Sequence, residues 1–406
     1  MRIDRALNLF DFREIARRKL PKIIFDFVEG GVDDDRCLDT NRRVFESYAL
    51  VPRYLVDVTK CDQSVELFGR RYDSPFGVSP MGLAGLVHRG VDLMLAAAAA
   101  RANVPYLMST ASNDSIEAAA KVAPDNAWFQ IYATSDQTIN DDLIRRARDL
   151  GLKTLVVTVD VPVNSNRERN RRNGFSRPPK MTPAIVWDSM MHPRWCYRFI
   201  KGGGIPMMRN WMPYAPEGAD AGVVADMYGT LTPAPAMSWK KIEAIRSVWD
   251  GNMVLKGILN PADAVRAVDT GVQGLIISNH GGRQLDAAPS PIEVLPLINE
   301  AVGDQLTLMA ESGIRRGTDI LIARALGAKA CLFGRPWLYS AVAGGEGGVH
   351  KAMGMMRREV DIGMTQVGCT RWDQVGPELL LRRGHAACLV ADTDRSRRVQ
   401  NASLAA

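Results

Sequence analysis

Residues 278–286 read SNHGGRQLD and follow a buried apolar run at 274–277. They place a base, His280, beside two glycines and a fixed cation, Arg283. Histidine has the side-chain pKa best suited to proton transfer near neutral pH, and the guanidinium fork of arginine binds a carboxylate through two hydrogen bonds. A lone loop histidine usually has only a structural role, but this combination predicts a catalytic base next to an anion site.

Eight short apolar runs follow one another along the chain, and alanine-rich segments with helical character lie between most of them. Strands covered on both faces read as nearly continuous apolar runs. Alternating strands and helices therefore predict an α/β protein with a (β/α)8 barrel. The alternative is an open doubly wound sheet, which is disfavoured because no GxGxxG follows an early strand. The predicted strands are 76–80, 106–109, 128–132, 154–160, 253–256, 275–278, 306–310 and 330–333.

Helix boundaries are marked by local signals. Asn260 and Ser290 each precede a proline, which is typical of an N-cap followed by the first helical residue. Gly151, Gly271 and Gly327 stand where helix C-terminal glycines belong. The predicted helices are 20–29, 91–102, 137–150, 261–270, 291–302 and 317–326.

The ends of the predicted strands are mostly polar or glycine, whereas the strand starts show no such enrichment. Barrel enzymes carry their chemistry at the C-terminal ends of the strands, so this pattern supports both the fold and the site. The residues at these ends are Ser109, Thr110, Gln130, Tyr132, Thr158, Asp160, Lys256, Ser278, His280, Glu311, Gly313, Gly334 and Arg335.

Three further charged residues have possible roles beside the predicted base, His280, and the predicted anion-binding residue, Arg283. Asp160 can orient and stabilise a protonated His280, or simply cap a chain segment. Lys256 can neutralise negative charge that develops on a cofactor or substrate, or form a salt bridge at the rim. Arg167 alone would be part of a solvated charge run, but together with Arg283 it indicates a small carboxylate substrate.

Glycine and arginine follow the last two strands, as GIRRG at 313–317 and as Gly334-Arg335. Glycines expose backbone N–H groups, and the start of a helix favours an anion. These two loops are the usual phosphate position of the barrel fold, with an ordinary turn as the alternative.

The composition is that of a globular protein: 406 residues, 46% hydrophobic, 24% charged and a net charge of +6. The mild positive excess fits an anionic substrate, a phosphate-bearing cofactor or an acidic membrane surface, and no nucleic-acid-binding motif accompanies it. Six scattered cysteines without CxxC spacing predict reduced thiols and no metal site. Neither a signal peptide nor an apolar run of membrane-spanning length is present, so we predict a cytoplasmic protein.

We predict a single domain over 1–392, with an N-terminal cap at 1–75, an insert at 174–238 between strands four and five, and a polar tail at 393–406. The insert shows no regular periodicity, and such long excursions are usually functional or mobile. Residues 181–212 mix tryptophan, phenylalanine and methionine with arginine and lysine, which suits a membrane headgroup interface. The alternative is an ordinary lid or an oligomer contact.

In combination, these motifs resemble the FMN-dependent α-hydroxy acid oxidase/dehydrogenase family, which includes glycolate and lactate oxidases and lactate and mandelate dehydrogenases. Segments 163–169 and 192–195 are similar to the pattern of the mandelate dehydrogenases. The motifs that carry the resemblance are 278–286, LPK at 20–22, FQIY at 129–132, TVD at 158–160, KG at 256–257 and GIRRG at 313–317.

The resemblance implies a role for each matching residue, with FMN as the redox cofactor. His280 would be the base with Asp160 behind it, and Lys256 would lie by the pyrimidine end of the flavin. Arg167, Arg283 and the Tyr132 hydroxyl would bind the substrate carboxylate. The implied cofactor-binding residues are Pro80, Met81, Gly82, Ser109, Gln130, Thr158, Lys256, Ser278, Glu311, Gly313, Arg315, Gly334 and Arg335.

Four positions depart from the family pattern or vary within it. Phe27 stands where the family has a carboxylate-binding tyrosine, so one substrate hydrogen bond is missing. Glu311 replaces an aspartate near the ribityl chain. Ala111 stands where several relatives have an aromatic residue, which leaves room for a bulkier, aryl substrate. Gly82 replaces an alanine of typical oxidases, which favours a dehydrogenase.

The resemblance implies oxidation of a mandelate- or lactate-like (S)-2-hydroxy acid to the 2-oxo acid, with electrons passed to a membrane quinone. Two alternatives remain: an oxidase that releases hydrogen peroxide, and a flavin-binding barrel that has lost catalysis. Hydride and carbanion routes are both open. The resemblance further implies a homotetramer that is cytoplasmic or peripheral on the inner face of the cell membrane.

Overall fold

A computed structural model describes residues 2–175, 182–232 and 237–383 of the chain. Its strands, numbered in chain order, are β1 (Tyr48–Leu50), β2 (Val65–Leu67), β3 (Arg70–Tyr72), β4 (Phe76–Val78), β5 (Tyr106–Ser109), β6 (Ala127–Ile131), β7 (Thr154–Thr158), β8 (Asn252–Lys256), β9 (Gly274–Ile277), β10 (Thr307–Glu311), β11 (Ala330–Phe333) and β12 (Leu380–Arg382).

The α-helices are α1 (Leu9–Lys19), α2 (Lys22–Glu29), α3 (Arg36–Arg43), α4 (Val91–Ala102), α5 (Ile116–Val122), α6 (Gln137–Asp149), α7 (Glu168–Arg172), α8 (Pro183–Met190), α9 (Pro193–Lys201), α10 (Ala221–Leu231), α11 (Trp239–Val248), α12 (Pro261–Asp269), α13 (Pro291–Val302), α14 (Gly317–Ala325) and α15 (Arg335–Gln366). Helix α15 bends at Gly344 and Gly345, whose backbone angles are not helical.

Strands β4 to β11 close into an eight-stranded parallel barrel, which confirms the predicted (β/α)8 fold. Nearly every residue of these strands is buried, as expected when helices cover the outside and side chains fill the inside. The register aligns the C-terminal ends of neighbouring strands: Ser109 is opposite Gln130, and Thr158 is opposite Lys256. All polar strand ends therefore face one rim.

The predicted helix signals act as expected. The Asn260 and Ser290 side chains accept hydrogen bonds from the first turns of α12 and α13, and each is followed by a proline. Gly151, Gly271 and Gly327 all have positive φ, the conformation in which glycine ends a helix at little cost. The predicted helices match those of the structure to within two residues at either end.

Two strands end two residues earlier than predicted. Strand β4 stops at Val78, before Pro80, which lacks a backbone N–H, and β7 stops at Thr158, before Asp160. Asp160 lies just beyond the ladder, and its side chain is hydrogen-bonded to His280. Both exceptions lie at the rim where the chemistry was expected.

The expectation of an irregular insert at 174–238 is wrong for the residues described there, because α8, α9 and α10 occupy most of them. Two of these helices begin with proline at the first position, and Thr182 caps α8 through its hydroxyl. The capping signals were present in the sequence, but mixed aromatic and methionine residues masked the helical period.

The segment before the barrel contributes α1, α2 and α3, and α1 packs along α15. The predicted tail at 393–406 lies outside the described residues. Within the described residues, no helix has the length and apolar character needed to span a bilayer, and none of the cysteines forms a disulfide.

Candidate active site

A cleft of about 220 Å³ opens at the C-terminal rim of the barrel. It brings together residues that the sequence spreads over 300 positions, from the end of α2 to the start of α15. Of the predicted site residues, Pro80, Met81, Gly82, Tyr132, Arg167, Lys256, His280, Arg283, Glu311, Gly313, Arg315, Gly334 and Arg335 line this cleft.

His280 lines this cleft and forms a hydrogen bond with Asp160, which is not itself among the lining residues. The distance from Nδ1 of His280 to Oδ1 of Asp160 is 2.9 Å. Burial lowers the pKa of His280 below its ordinary 6.5, although the Asp160 carboxylate opposes this shift. Burial alone would raise the pKa of Asp160, but His280 and Lys256 outweigh it and hold the pKa below 3.8. The pair is therefore a neutral imidazole and a carboxylate near neutral pH, with Nδ1–H donating and Nε2 available as a base.

The backbone around His280 is unusual and well supported. His280 has a φ of 59°, and Gly281 and Gly282 also have positive φ, a conformation that suits glycine and is costly for other residues. The hydroxyls of Ser278 and Ser312 accept hydrogen bonds from the N–H groups of His280 and Gly281, at 2.9 and 3.1 Å. The two glycines thus let the chain turn back so that the imidazole faces Asp160.

Lys256 lies in a buried polar cluster at the base of the cleft. Its ammonium is 2.6 Å from a carboxylate oxygen of Glu311 and 3.1 Å from the Ser278 hydroxyl. Burial acts to lower the pKa of Lys256, but Glu311 and Asp160 outweigh it and raise the pKa. A positive charge is therefore fixed at this point, close to His280.

Arg283 and Arg335 are anchored on the last turn of α2. Arg283 donates to the carbonyl oxygens of Phe27 and Gly30, both at 2.9 Å, and Arg335 donates to those of Val28 and Gly30 at 2.8 and 3.1 Å. The final carbonyls of a helix have no partner within the helix and carry partial negative charge, so they suit guanidinium groups. Within the described residues, neither arginine has a carboxylate within 4.0 Å, which leaves their positive charge available to an anion in the cleft.

Tyr132 and Arg167, the other residues predicted to bind the substrate, lie in the same cleft as His280. The Tyr132 hydroxyl is 3.4 Å from Nε2 of His280, a long contact. Burial raises the pKa of Tyr132, so the phenol remains a proton donor. Nε of Arg167 donates to the Ser165 hydroxyl at 3.1 Å. Arg167 is also close enough to lower the pKa of Arg283, after burial, which is the larger cause.

Gly313 and Arg315 line the part of the cleft that the sequence predicts to hold a phosphate. Gly313 has a φ of 82°, and a Cβ there would lie 2.0 Å from the carbonyl oxygen of Asn41, so only glycine fits. Burial lowers the pKa of Arg315 to about 10, with Arg335 and Arg42 acting in the same direction. A guanidinium does not give up its proton in proteins, so this shift marks a cation that an anion would stabilise.

Ser109, Gln130, Thr158 and Ser278 are buried at or next to the C-terminal ends of β5, β6, β7 and β9, and they are not among the residues that line the cleft. Gln130 donates to the Thr158 hydroxyl at 2.9 Å, whereas its own amide oxygen is buried without a hydrogen-bond partner in the described part of the chain. Buried polar atoms are normally paired. The polar edge of a flavin ring would supply the partner that the Gln130 amide oxygen lacks, and a phosphate would neutralise the Arg315 guanidinium. The residues present therefore fit FMN.

Sequence reasoning missed several residues of the site. Ser312 and Tyr228 line the cleft, and the side chain of Arg42 donates to the carbonyl oxygen of Gly313. Tyr228 lies on α10, within the insert whose helices were not predicted. Ser312 had a signal that was overlooked, because it lies between Glu311 and Gly313 at a strand end.

Comparisons with known proteins agree with this geometry. Residues 16–382 match the family model described as FMN-dependent dehydrogenase. The chain is 36% identical over 377 residues to the (S)-mandelate dehydrogenase of Pseudomonas putida, covering 93% of this chain and 94% of that protein. It is 37% identical over 376 residues to an L-lactate dehydrogenase of Alcaligenes faecalis, covering 92% and 98%.

Among solved structures, that of the monotopic membrane protein (S)-mandelate dehydrogenase superposes with a TM-score of 0.90 at 36% identity, covering 93% of this chain and 100% of that one. The chain therefore belongs to the FMN-dependent dehydrogenase family. It is an oxidoreductase of the 2-hydroxy acid dehydrogenase type, and its cofactor is FMN.

Proposed function

We propose that this enzyme oxidises an (S)-2-hydroxy acid with an aromatic side chain, such as mandelate, to the corresponding 2-oxo acid. The observation that carries the proposal is the His280–Asp160 pair, whose free imidazole nitrogen lies beside the Tyr132 hydroxyl in a cleft rimmed by arginines. A base next to an anion site matches a substrate that carries both a hydroxyl and a carboxylate.

The substrate carboxylate is bound by Arg283 and Arg167, with Tyr132 as a third donor. Arg283 is held by the carbonyl groups of α2 and lies over the Phe27 ring, with 5.5 Å between the guanidinium carbon and the ring centroid. A guanidinium held in this way loses little freedom when the carboxylate arrives. This arrangement orients the hydroxyl-bearing carbon towards His280.

His280 accepts a proton from the substrate at Nε2. Asp160 holds the opposite nitrogen, so it fixes the tautomer and stabilises the imidazolium that forms. Lys256 supplies fixed positive charge near the reacting groups, where developing negative charge benefits most.

FMN, when bound, accepts the two electrons that leave the substrate. Arg315, Arg335 and the backbone of Gly313 and Gly334 would hold its phosphate. Gln130, Thr158, Ser109, Ser278 and Lys256 would contact the ring and ribityl chain, with Glu311 and the segment Pro80, Met81 and Gly82 beside them.

The size of the side-chain pocket favours an aryl substituent. Ala111 and Gly82 meet at one wall, so closely that a Cβ on residue 82 would lie 2.7 Å from Cβ of Ala111. Small side chains on this wall leave space in the cleft, and Phe27, which stacks on Phe175 at 4.7 Å between ring centroids, adds an aromatic surface to its lining. An aromatic ring packs well against such a wall.

We further propose that the electrons pass to a membrane quinone and that the insert at 174–238, chiefly residues 181–212, contacts the membrane. Trp187 and Ile200, on α8 and α9, are 67% and 75% exposed. Met190 and Tyr197 on the same two helices are also exposed, as is Met191 in the link between them. Exposed apolar residues in such a group mark an interaction surface. A single domain over 1–392 and a homotetramer, peripheral on the inner face of the cell membrane, complete the proposal.

Rapid mixing of the reduced enzyme with either oxygen or a soluble quinone analogue tests the acceptor. We expect fast reoxidation by the quinone and slow reoxidation by oxygen. Fast reoxidation by oxygen with release of peroxide would instead identify an oxidase. Steady-state kinetics with mandelate, lactate and glycolate test the substrate, and the largest kcat/KM is expected for (S)-mandelate. A preference for glycolate would contradict the aryl assignment.

A further inference from the structure

A second cleft of about 250 Å³ lies apart from the active site. It is formed by the end of α1, by the loop 85–89 after β4, and by helix α9. We call it the basic crevice, because its polar lining consists of cations and histidines: Arg18, Lys19, Arg89, Arg194, Arg198, His88 and His192. Among the described residues, no aspartate or glutamate lines it.

Like charges are held close together in the basic crevice. Burial lowers the pKa of Lys19, and the charges of Arg198 and Arg194 lower it further. Burial also lowers the pKa of His88, with Arg198 and Lys19 again acting in that direction. The carboxylate of Asp188 lies 4.0 Å from Nδ1 of His192 and accepts a hydrogen bond from the backbone N–H of Lys22 at 2.6 Å. Among the described residues that line the basic crevice there are four arginines and Lys19 but no carboxylate. Repulsion among these cations favours binding of an anion.

One wall of the basic crevice is apolar. Trp195 donates from its indole nitrogen to the carbonyl oxygen of Leu86 at 2.9 Å and stacks on Phe199 with ring centroids 4.8 Å apart. Leu20 and Val342 complete this wall. The same helix α9, together with α8, also carries the exposed apolar residues described above. Cationic and apolar groups therefore adjoin each other, which fits an amphiphile better than a small hydrophilic anion.

We propose that the basic crevice binds the phosphate headgroup of an anionic phospholipid, whose acyl chains lie against the exposed apolar residues of α8 and α9. Arg194 and Arg198 would contact the phosphate, and Lys19 would contribute charge from α1. This proposal rests on the membrane contact proposed above and adds to it a defined headgroup site. The headgroup would bind in a specific pocket, in contrast to the general electrostatic attraction between a basic protein and an acidic membrane surface.

The direct test is calorimetric titration of the holoenzyme with dihexanoylphosphatidylglycerol below its micelle concentration. Dihexanoylphosphatidylcholine and inorganic phosphate serve as comparison ligands. We expect saturable binding of phosphatidylglycerol, at least about tenfold weaker in Arg194→Gln/Arg198→Gln because each cation near a phosphate contributes substantially. The matched control Arg145→Gln/Arg148→Gln removes two exposed charges on α6 and should bind like the wild type.

Three results would overturn the proposal: no saturable binding, equal weakening in the two double variants, or inorganic phosphate binding as tightly as the lipid. The last would identify a phosphate site without a lipid. Bound FMN and activity with a soluble dye acceptor should be unchanged in Arg194→Gln/Arg198→Gln, since both arginines are exposed and outside the active site.

Co-sedimentation with phosphatidylcholine vesicles, with and without phosphatidylglycerol, separates this proposal from membrane contact itself. Wild-type binding to both vesicle types, with a loss confined to the anionic vesicles in Arg194→Gln/Arg198→Gln, supports both proposals. Binding of the soluble lipid without vesicle binding supports the headgroup site and overturns the membrane contact. Vesicle binding that is identical in both double variants overturns the headgroup site alone.

Discussion

Asp160 accepts a hydrogen bond from Nδ1 of His280 at 2.9 Å, although the two residues follow strands β7 and β9, which are not neighbours in the barrel. Strand β8 lies between them and ends at Lys256, and the next residue, Gly257, has a φ of 108°. A Cβ at Gly257 would lie 2.4 Å from Cβ of Asp160. A residue without a side chain at the end of β8 therefore allows the carboxylate to reach across to the imidazole.

The Asp160–His280 bond predicts the effect of Asp160→Asn. The amide keeps the shape of the side chain but can neither stabilise an imidazolium nor enforce the productive tautomer, so kcat should fall by about 10²- to 10⁴-fold. FMN content, measured by visible absorbance, should be unchanged. Because the two residues act as a unit, the double variant with His280→Ala should be little worse than His280→Ala alone. Losses that multiply would show that the residues act independently.

The environment of His280 predicts the acid limb of the pH profile. Its pKa in the folded enzyme is lowered below 6.5, mainly by burial, and the neutral form is the base. The dependence of kcat/KM on pH should therefore be flat on the acid side down to about 6.5 and decline only below that. A decline that begins well above pH 6.5 would contradict a buried neutral histidine as the base.

Two neighbouring arginines after β10 allow a matched test of which residue binds the FMN phosphate. Arg315 lines the cleft, whereas Arg316 pairs with Glu359 at 2.9 Å and is not among the lining residues. Loss of a charge-assisted hydrogen bond in Arg315→Leu should weaken FMN binding by about 10- to 100-fold. Arg316→Leu should leave FMN affinity near the wild-type value. Fluorescence titration of the apoprotein with FMN gives both constants, and equal effects would contradict the assignment of Arg315.

The aromatic residue at position 27 predicts a gain of function. Phe27 lines the cleft next to Arg283, so Phe27→Tyr should add a hydroxyl donor for the substrate carboxylate. One added hydrogen bond should lower KM by about 2- to 10-fold. The methyl ester of the same hydroxy acid, which lacks the carboxylate charge, should show no comparable gain. An equal gain for the ester would place the new hydroxyl away from the carboxylate.

The barrel was predictable because its signals are local. Strand β5 was predicted with its observed bounds, since a strand buried on both faces must be apolar throughout, and α13 was delimited by Ser290 and Pro291. The strand ends then placed His280, Asp160 and Lys256 on one rim, because parallel strands in a barrel end on the same side.

Contacts that depend on backbone atoms or on distant segments were not predictable. Arg283 and Arg335 are held by carbonyl groups at the end of α2, and a carbonyl acceptor leaves no mark in the sequence. The Lys256–Glu311 ion pair requires knowledge of side-chain reach across the barrel mouth. In the insert, α8 and α9 were missed because their exposed apolar residues hide the polar face that normally identifies a surface helix.

The central claim is that His280 is the base for FMN-dependent oxidation of a 2-hydroxy acid, and anaerobic reduction of the flavin tests it most directly. Mixing the wild-type enzyme with (S)-mandelate in a stopped-flow spectrometer should bleach the flavin absorbance, and (R)-mandelate should not. His280→Ala should retain FMN but show no bleaching on the same timescale. Bleaching of His280→Ala at a rate near that of the wild type would contradict the account.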